Sequence, residues 1–328
     1  MTIITKSGIV VDSNSTDFKP FIYELHQSPV SSPYQLVDDF NYSVAHEKTH
    51  ILYAMAKKRI FPNDQLYNDT YRTIPVFTSS LGISSDDPCS RDDFESILSM
   101  LKKSSPDLVP IINQYLYLED VYNIISSVQN LLIGMHHNFI SYYLTISKVN
   151  PFILSQEKVW RVTGFQCELV SSSISSYFIK ACSILDLLTK ICFELDYSPS
   201  HFLQYQKLRS SNLLYGARKH LLKMNSIAET IFCHDSFICT LEAIRNEVVH
   251  NGSWESFPSV YIRTSQNEVK ERFMLFPDFV DGHYEKFVNR NHFYSQGLKV
   301  NDELPKLHQK FMLYLINTIS KMTEFYPL

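Results

Sequence analysis

From Asn113 the chain repeats apolar residues at the helical interval: Tyr115, Leu118, Tyr122, Ile125, Leu132, Met135, Phe139, Tyr142 and Ile146 recur mostly at steps of three and four. A stripe of this kind fits one long amphipathic helix and no strand. Pro106 and Pro110 stand at its entrance and Pro151 beyond its exit, where proline is tolerated. Val170, Ile174, Tyr177, Ala181, Leu185, Leu188, Ile191 and Leu195 form a second stripe and predict a helix over about 168–195. Two long helices joined by a short connection are expected to pack antiparallel.

Two further helices follow. Asp235 or Ser236 suits an N-cap, Phe237, Leu241, Ile244 and Val248 form a buried stripe, and Asn251-Gly252 supplies residues that accept the left-handed conformation closing a helix. Leu307, Phe311, Leu315, Ile319, Met322 and Phe325 align in a last helix over 302–326. A polar, basic connector spans 198–212, and 213–231 reads as additional helix. Tyr261 to Arg263 and Glu271 to Phe276 alternate around Ser265-Gln266-Asn267, which predicts a β-hairpin insertion within about 255–300. The first hundred residues are mixed, with strands expected at 7–12 and 73–79, a helix at 41–58 and a polar loop at 84–91. The expected class is mainly α: an irregular N-terminal region to about 107, then a helical domain over 108–328.

Composition agrees. Only 8 Gly stand against 45% hydrophobic residues, which disfavours a turn-rich all-β chain. The net charge of -4 gives no global basic field, so any nucleic-acid contact must use a local surface. Arg209, Arg218, Lys219, His220 and Lys223 make one basic stretch that could supply such a surface, although a solvated helix face is its plainer reading. The six cysteines contain no Cys-x-x-Cys pair and fit reduced thiols in a cytoplasmic protein. Neither a signal peptide nor a membrane-spanning run is expected.

The chemistry-bearing stretch is Arg245-Asn246-Glu247-Val248-Val249-His250. Arginine offers a fixed cation whose donors fit phosphate oxygens, and histidine exchanges a proton near neutral pH. RNA carries its own nucleophile, the 2′-hydroxyl, so a proton carrier and a charge clamp suffice to cut it without a metal. Arg245, Asn246 and His250, near the end of a periodic helix, resemble the Arg-x4-His signature of the HEPN superfamily over the C-terminal half of the chain. That resemblance implies an antiparallel helical bundle, a metal-independent endoribonuclease with no cofactor, and a homodimer in which two motifs face one RNA substrate. It also implies a toxin or abortive-infection and antiviral defence role, with a separate antitoxin or regulatory protein as partner. The alternative within the same family is a catalytically inactive scaffold that binds RNA, nucleotide or protein. Asp186 and Glu242 are candidate supporting acids, each read equally as half of an ordinary ion pair, with Lys190 and Arg245 respectively.

One geometric demand accompanies the motif. Five residues at ~100° each place Arg245 and His250 about 140° apart on a helix. Convergence needs the chain to leave helical geometry at His250, the arginine to curl round, or a second copy.

A rival constellation is His46-Glu47-Lys48-Thr49-His50, which spells the zinc-peptidase pattern His-Glu-x-x-His. Lys48 beside a cation and the lack of an evident third ligand argue against it, and chance spacing on a surface helix is the plain reading. Neighbouring His136 and His137 point ~100° apart in a helix and cannot chelate one ion.

Overall fold

The computed structural model describes residues 2–4, 10–12, 24–26, 35–37, 40–74, 81–83, 85, 88–104, 106–150, 158–215, 222–224 and 227–326. The chain is mainly α. Short strands β1 (Thr2–Ile4), β2 (Val10–Asp12), β3 (Glu24–His26) and β4 (Gln35–Val37) form an antiparallel sheet in the order β2-β1-β3-β4. Helices α1 (Phe40–Thr49), α2 (Ile51–Ile60), α3 (Asp64–Thr73), α4 (Arg91–Ser104) and α5 (Val109–Ile146) follow. Next come β5 (Lys158–Thr163), α6 (Phe165–Asp196), α7 (Ser236–Asn251), β6 (Ser259–Ser265), β7 (Glu268–Phe273), the two-residue strands β8 (Phe279–Val280) and β9 (His283–Tyr284), and α8 (Val300–Phe325).

Contacts divide the chain into two compact units, each drawing on three stretches. The first comprises Met1–Glu47, Asn130–Ile184 and Ser226–Thr318. Its core joins segments of α5, α6, α7 and α8: Phe139 stacks on the fully buried His308 ring at 4.4 Å, Tyr177 hydroxyl meets His308 Nδ1 at 3.2 Å, and Phe237 packs edge-on to Tyr314 at 5.0 Å. His136 is buried and stacks on Tyr42 at 3.9 Å, whereas His137 is exposed, the divergence that adjacent helical positions require. Pro305 lies inside α8 and has no N–H for the carbonyl of Asn301 four residues back. The Tyr143 hydroxyl donates to that carbonyl instead, at 2.8 Å.

The second unit comprises Lys48–Gln129, Leu185–Asn225 and Ile319–Leu328. Here carboxylates on α6 take the N–H groups of the chain that follows it. Asp186 Oδ1 accepts from Tyr215 N at 2.6 Å, the buried Glu194 from Ser210 N at 2.8 Å, and Asp196 from Lys223 N at 2.9 Å.

One correction falls in the stretch that follows α6. Helix was expected over 213–231; among the described residues Leu213 and Leu214 are irregular, Tyr215 is helical, Leu222–Met224 form bends and Ile231 opens a 3-10 turn (Ile231–Cys233), while 216–221 and 225–226 lie outside the described residues. Glu229 has a left-handed backbone, which no helix accommodates. A second correction concerns 73–79, expected as strand: Thr73 is the last residue of α3, and 75–80 lie outside the described residues, as do 7–9 of the expected strand at 7–12.

The expected hairpin forms, with Gln266 and Asn267 both at positive φ in its turn, but it is not isolated. Strand β5 pairs with β6 through six residues, giving an antiparallel sheet in the order β5-β6-β7.

Candidate functional site

Helix α7 carries the motif. Asp235 caps its start, with Oδ1 accepting the Ile238 N–H at 3.1 Å, while Oδ2 accepts from the Tyr314 hydroxyl and lies 3.5 Å from Lys310 Nζ. Burial works against the Asp235 charge, yet the hydrogen bonds from Tyr314 and Ile238 and the Lys310 ammonium hold this carboxyl below the usual range. Phe237, Ile238, Leu241, Ile244 and Val248 are its buried residues. At the far end Gly252, at φ 84, closes the helix by donating to Val248 O at 3.1 Å.

His250 therefore stays in the last helical turn, and Asn251 after it is still helical. The chain does not leave helical geometry at His250, which corrects the first of the three routes to convergence. Arg245 and His250 remain about 140° apart around the axis. Arg245 is half-buried, and Asn246 and His250 are exposed. Arg245 Nη1 donates to Asn246 Oδ1 at 2.9 Å. Asn246 stands ~100° from Arg245 and only ~40° from His250, so this bond draws the guanidinium round the helix towards the histidine side.

Of the supporting acids, Glu242 Oε2 lies 3.5 Å from His234 Nδ1. Asp186 belongs to the second unit and is occupied by the Tyr215 N–H.

Sequence reasoning missed a cluster on another line of α7. The Glu247 side chain is 11% exposed; its Oε1 accepts from Asn251 Nδ2 at 2.9 Å and faces His292 Nε2 at 3.3 Å, the latter without hydrogen-bond alignment. The His292 ring packs edge-on to Tyr284 at 5.1 Å. Tyr284 Oη and Trp254 Nε1 are also buried without a hydrogen-bond partner among the described residues. Burial lowers the His292 pKa, and the opposing attraction of Glu247 does not offset it. Burial, then the neighbouring Glu247 charge, raises the Tyr284 phenol far above its ordinary value. The β8-β9 turn approaches the start of the same helix so closely that a Cβ on Gly282 would sit 2.3 Å from Ser236 O. Contacts spanning 45 residues (Glu247 to His292) and 46 (Ser236 to Gly282) leave no local signal; only the low glycine count marks Gly282 as a position to examine.

The zinc-like stretch runs into the junction between α1 and α2. Helix α1 ends at Thr49, and His50 is a turn residue whose Nδ1 lies 3.3 Å from Gln129 Nε2. Lys48 Nζ donates to Ser320 Oγ at 3.0 Å. Among the described residues no group of three or more His, Cys, Asp or Glu is placed to hold a metal ion. All six cysteines are free thiols. No described helix is long and apolar enough to cross a membrane.

Compared with known proteins, the chain matches no family model, and neither the curated proteins nor the solved structures contain a significant match.

Proposed function

We propose that the protein is a metal-independent endoribonuclease of HEPN type, acting as a homodimer, with Arg245 and His250 catalytic and Asn246 in support. The observation that carries this reading is the Arg245–Asn246 bond, which turns the guanidinium towards the line that bears His250. In the proposed reaction the RNA 2′-oxygen attacks phosphorus and the P–O5′ bond breaks. His250 moves the proton, Arg245 holds the non-bridging oxygens, and a 2′,3′-cyclic phosphate and a free 5′-hydroxyl result. The remaining angular gap is closed in the proposed dimer by pairing Arg245 of one copy with His250 of the other. Such an activity fits a toxin or defence effector that arrests growth by cutting RNA, with a separate neutralising partner.

The test is cleavage of single-stranded RNA in excess chelator. Wild-type protein is expected to leave 2′,3′-cyclic ends, and His250→Ala to lose about a hundredfold or more in rate. Cleavage that vanishes with chelator, or survives in both Arg245→Ala and His250→Ala, overturns the reading. The wide angle between the two groups favours one second reading, a scaffold of the same shape that binds RNA without cutting it. Wild-type and His250→Ala proteins would then cleave equally poorly.

A further inference from the structure

The outer face of the β5-β6-β7 sheet has the composition of a stacking platform. Strand register places Arg161, Tyr261 and Phe273 opposite one another across the three strands, and Val159, Arg263 and Glu271 in the next row of the same face. The other face is the buried one, carrying Val260, Ile262 and Thr264. On the outer face Arg161 and Arg263 are exposed and Tyr261 is half-exposed. The Tyr261 ring stacks on Phe273 at 5.5 Å and 19°, so it is held flat against a buried neighbour.

Cations surround these rings. Lys299 Nζ stands 4.5 Å over the Phe273 ring and is paired with Glu271, whose other oxygen lies 3.6 Å from Arg263 Nε. Arg161 donates through Nε to Ser259 Oγ at 3.0 Å; burial raises the nearby Glu255 carboxyl, a rise that the Ser259 N–H and the Arg161 charge only partly oppose. The face therefore sets three cations against two carboxylates, a local positive excess on a chain whose net charge is -4.

Strand β6 begins at Ser259, seven residues beyond the Gly252 that closes the motif helix, so the sheet lies close to it along the chain. Tyr294 donates to Trp254 O at 3.1 Å, two residues beyond the Gly252 that closes α7.

We propose that this sheet face, centred on Tyr261 and flanked by Arg161 and Arg263, is a binding platform for single-stranded RNA that leads the strand to the end of α7. Exposed rings on a sheet stack unpaired bases, while arginines take the backbone phosphates. The inference rests on the ribonuclease reading for what happens next to the strand, but binding itself does not require cleavage.

The experiment is fluorescence anisotropy of the full chain with a labelled, fully 2′-O-methylated single-stranded RNA of twelve nucleotides, which cannot be cut through its 2′-oxygen. Tyr261→Ala is expected to weaken binding by about 5- to 100-fold with no change in salt slope, and Tyr261→Phe to keep it. Replacing Arg161 and Arg263 together by alanine is expected to reduce the slope of log K against log salt by about 1.4. Lys306→Ala serves as the control that leaves affinity alone. The platform is overturned if wild-type protein fails to bind, if the Tyr261 and arginine variants bind as wild type does, or if poly-glutamate displaces the strand at equal charge concentration. Strand binding without any cleavage of unmodified RNA upholds the platform and removes the nuclease. Cleavage with an affinity indifferent to Tyr261 does the reverse.

Discussion

Glu247 and His292 meet at 3.3 Å although 45 residues of chain separate them, and their contact fastens the loop after β9 to the helix that carries Arg245, Asn246 and His250. Glu247 also holds Asn251, the last residue of that helix. Through Asn251, Glu247 steadies the turn in which His250 stands.

The pair makes stability depend on pH in a defined sense. His292 titrates below its ordinary value of about 6.5, so between the two values the unfolded chain binds the proton and the folded chain does not. Its contribution is complete above about pH 6.5 and is lost as pH falls through the depressed folded value. Thermal melting between pH 8 and 5 is expected to show a drop below about pH 6.5 that His292→Phe diminishes. An unchanged profile in the variant contradicts a neutral, buried His292.

Gly282 tests how closely the β8-β9 turn fits α7. Its φ is 83, and an alanine Cβ would meet Ser236 O at 2.3 Å and Cys239 Cβ at 2.8 Å. The left-handed backbone alone costs about 1 to 2 kcal/mol for a residue with a Cβ. Gly282→Ala is expected to lose more than that, about 3 kcal/mol, in chemical denaturation. A loss within ~0.5 kcal/mol would mean that the turn moves freely off the helix.

Asp235 fixes the other end of α7. Loss of a capping side chain costs about 0.5 to 2 kcal/mol, and Asp235→Ala also removes the acceptor of Tyr314 and the partner of Lys310. Because the folded carboxyl titrates below its unfolded value, this stability is present above about pH 4 and fades as pH falls towards the folded value. Asp235→Asn keeps the cap and is expected to lose less than alanine at pH 7. Equal melting of the two variants would leave the cap without a role.

The long helices were legible because their apolar residues fall on single stripes: Ile125, Leu132, Met135, Phe139 and Tyr142 of α5 are all buried. Strand β5 was not. Its apolar residues occupy both faces, with Val159 46% exposed and Trp160 and Val162 half-buried on the other side, so no single apolar face marks it as a strand. Helix α3 went unread because Asp64-Gln65-Leu66-Tyr67-Asn68-Asp69-Thr70 is mostly polar; its N-cap Asn63, which accepts from Gln65 N and Leu66 N, was the available signal. At the site, the motif helix and its glycine stop could be placed from sequence. The carboxylate-to-backbone bonds to Tyr215 and Lys223, and the His292 contact, depend on residues brought together only by folding.

The most direct measurement of a site shared between two copies is complementation. Arg245→Ala and His250→Ala proteins are purified, assayed separately on single-stranded RNA in chelator, then unfolded together in equal amounts, refolded and assayed again. Half of the dimers formed are mixed, and each mixed dimer rebuilds one intact pairing of Arg245 with His250, so activity is expected to return to about a quarter of wild type. A mixture as inactive as its two components, or a single variant that already cleaves like wild type, contradicts a pocket built by Arg245 of one copy and His250 of the other.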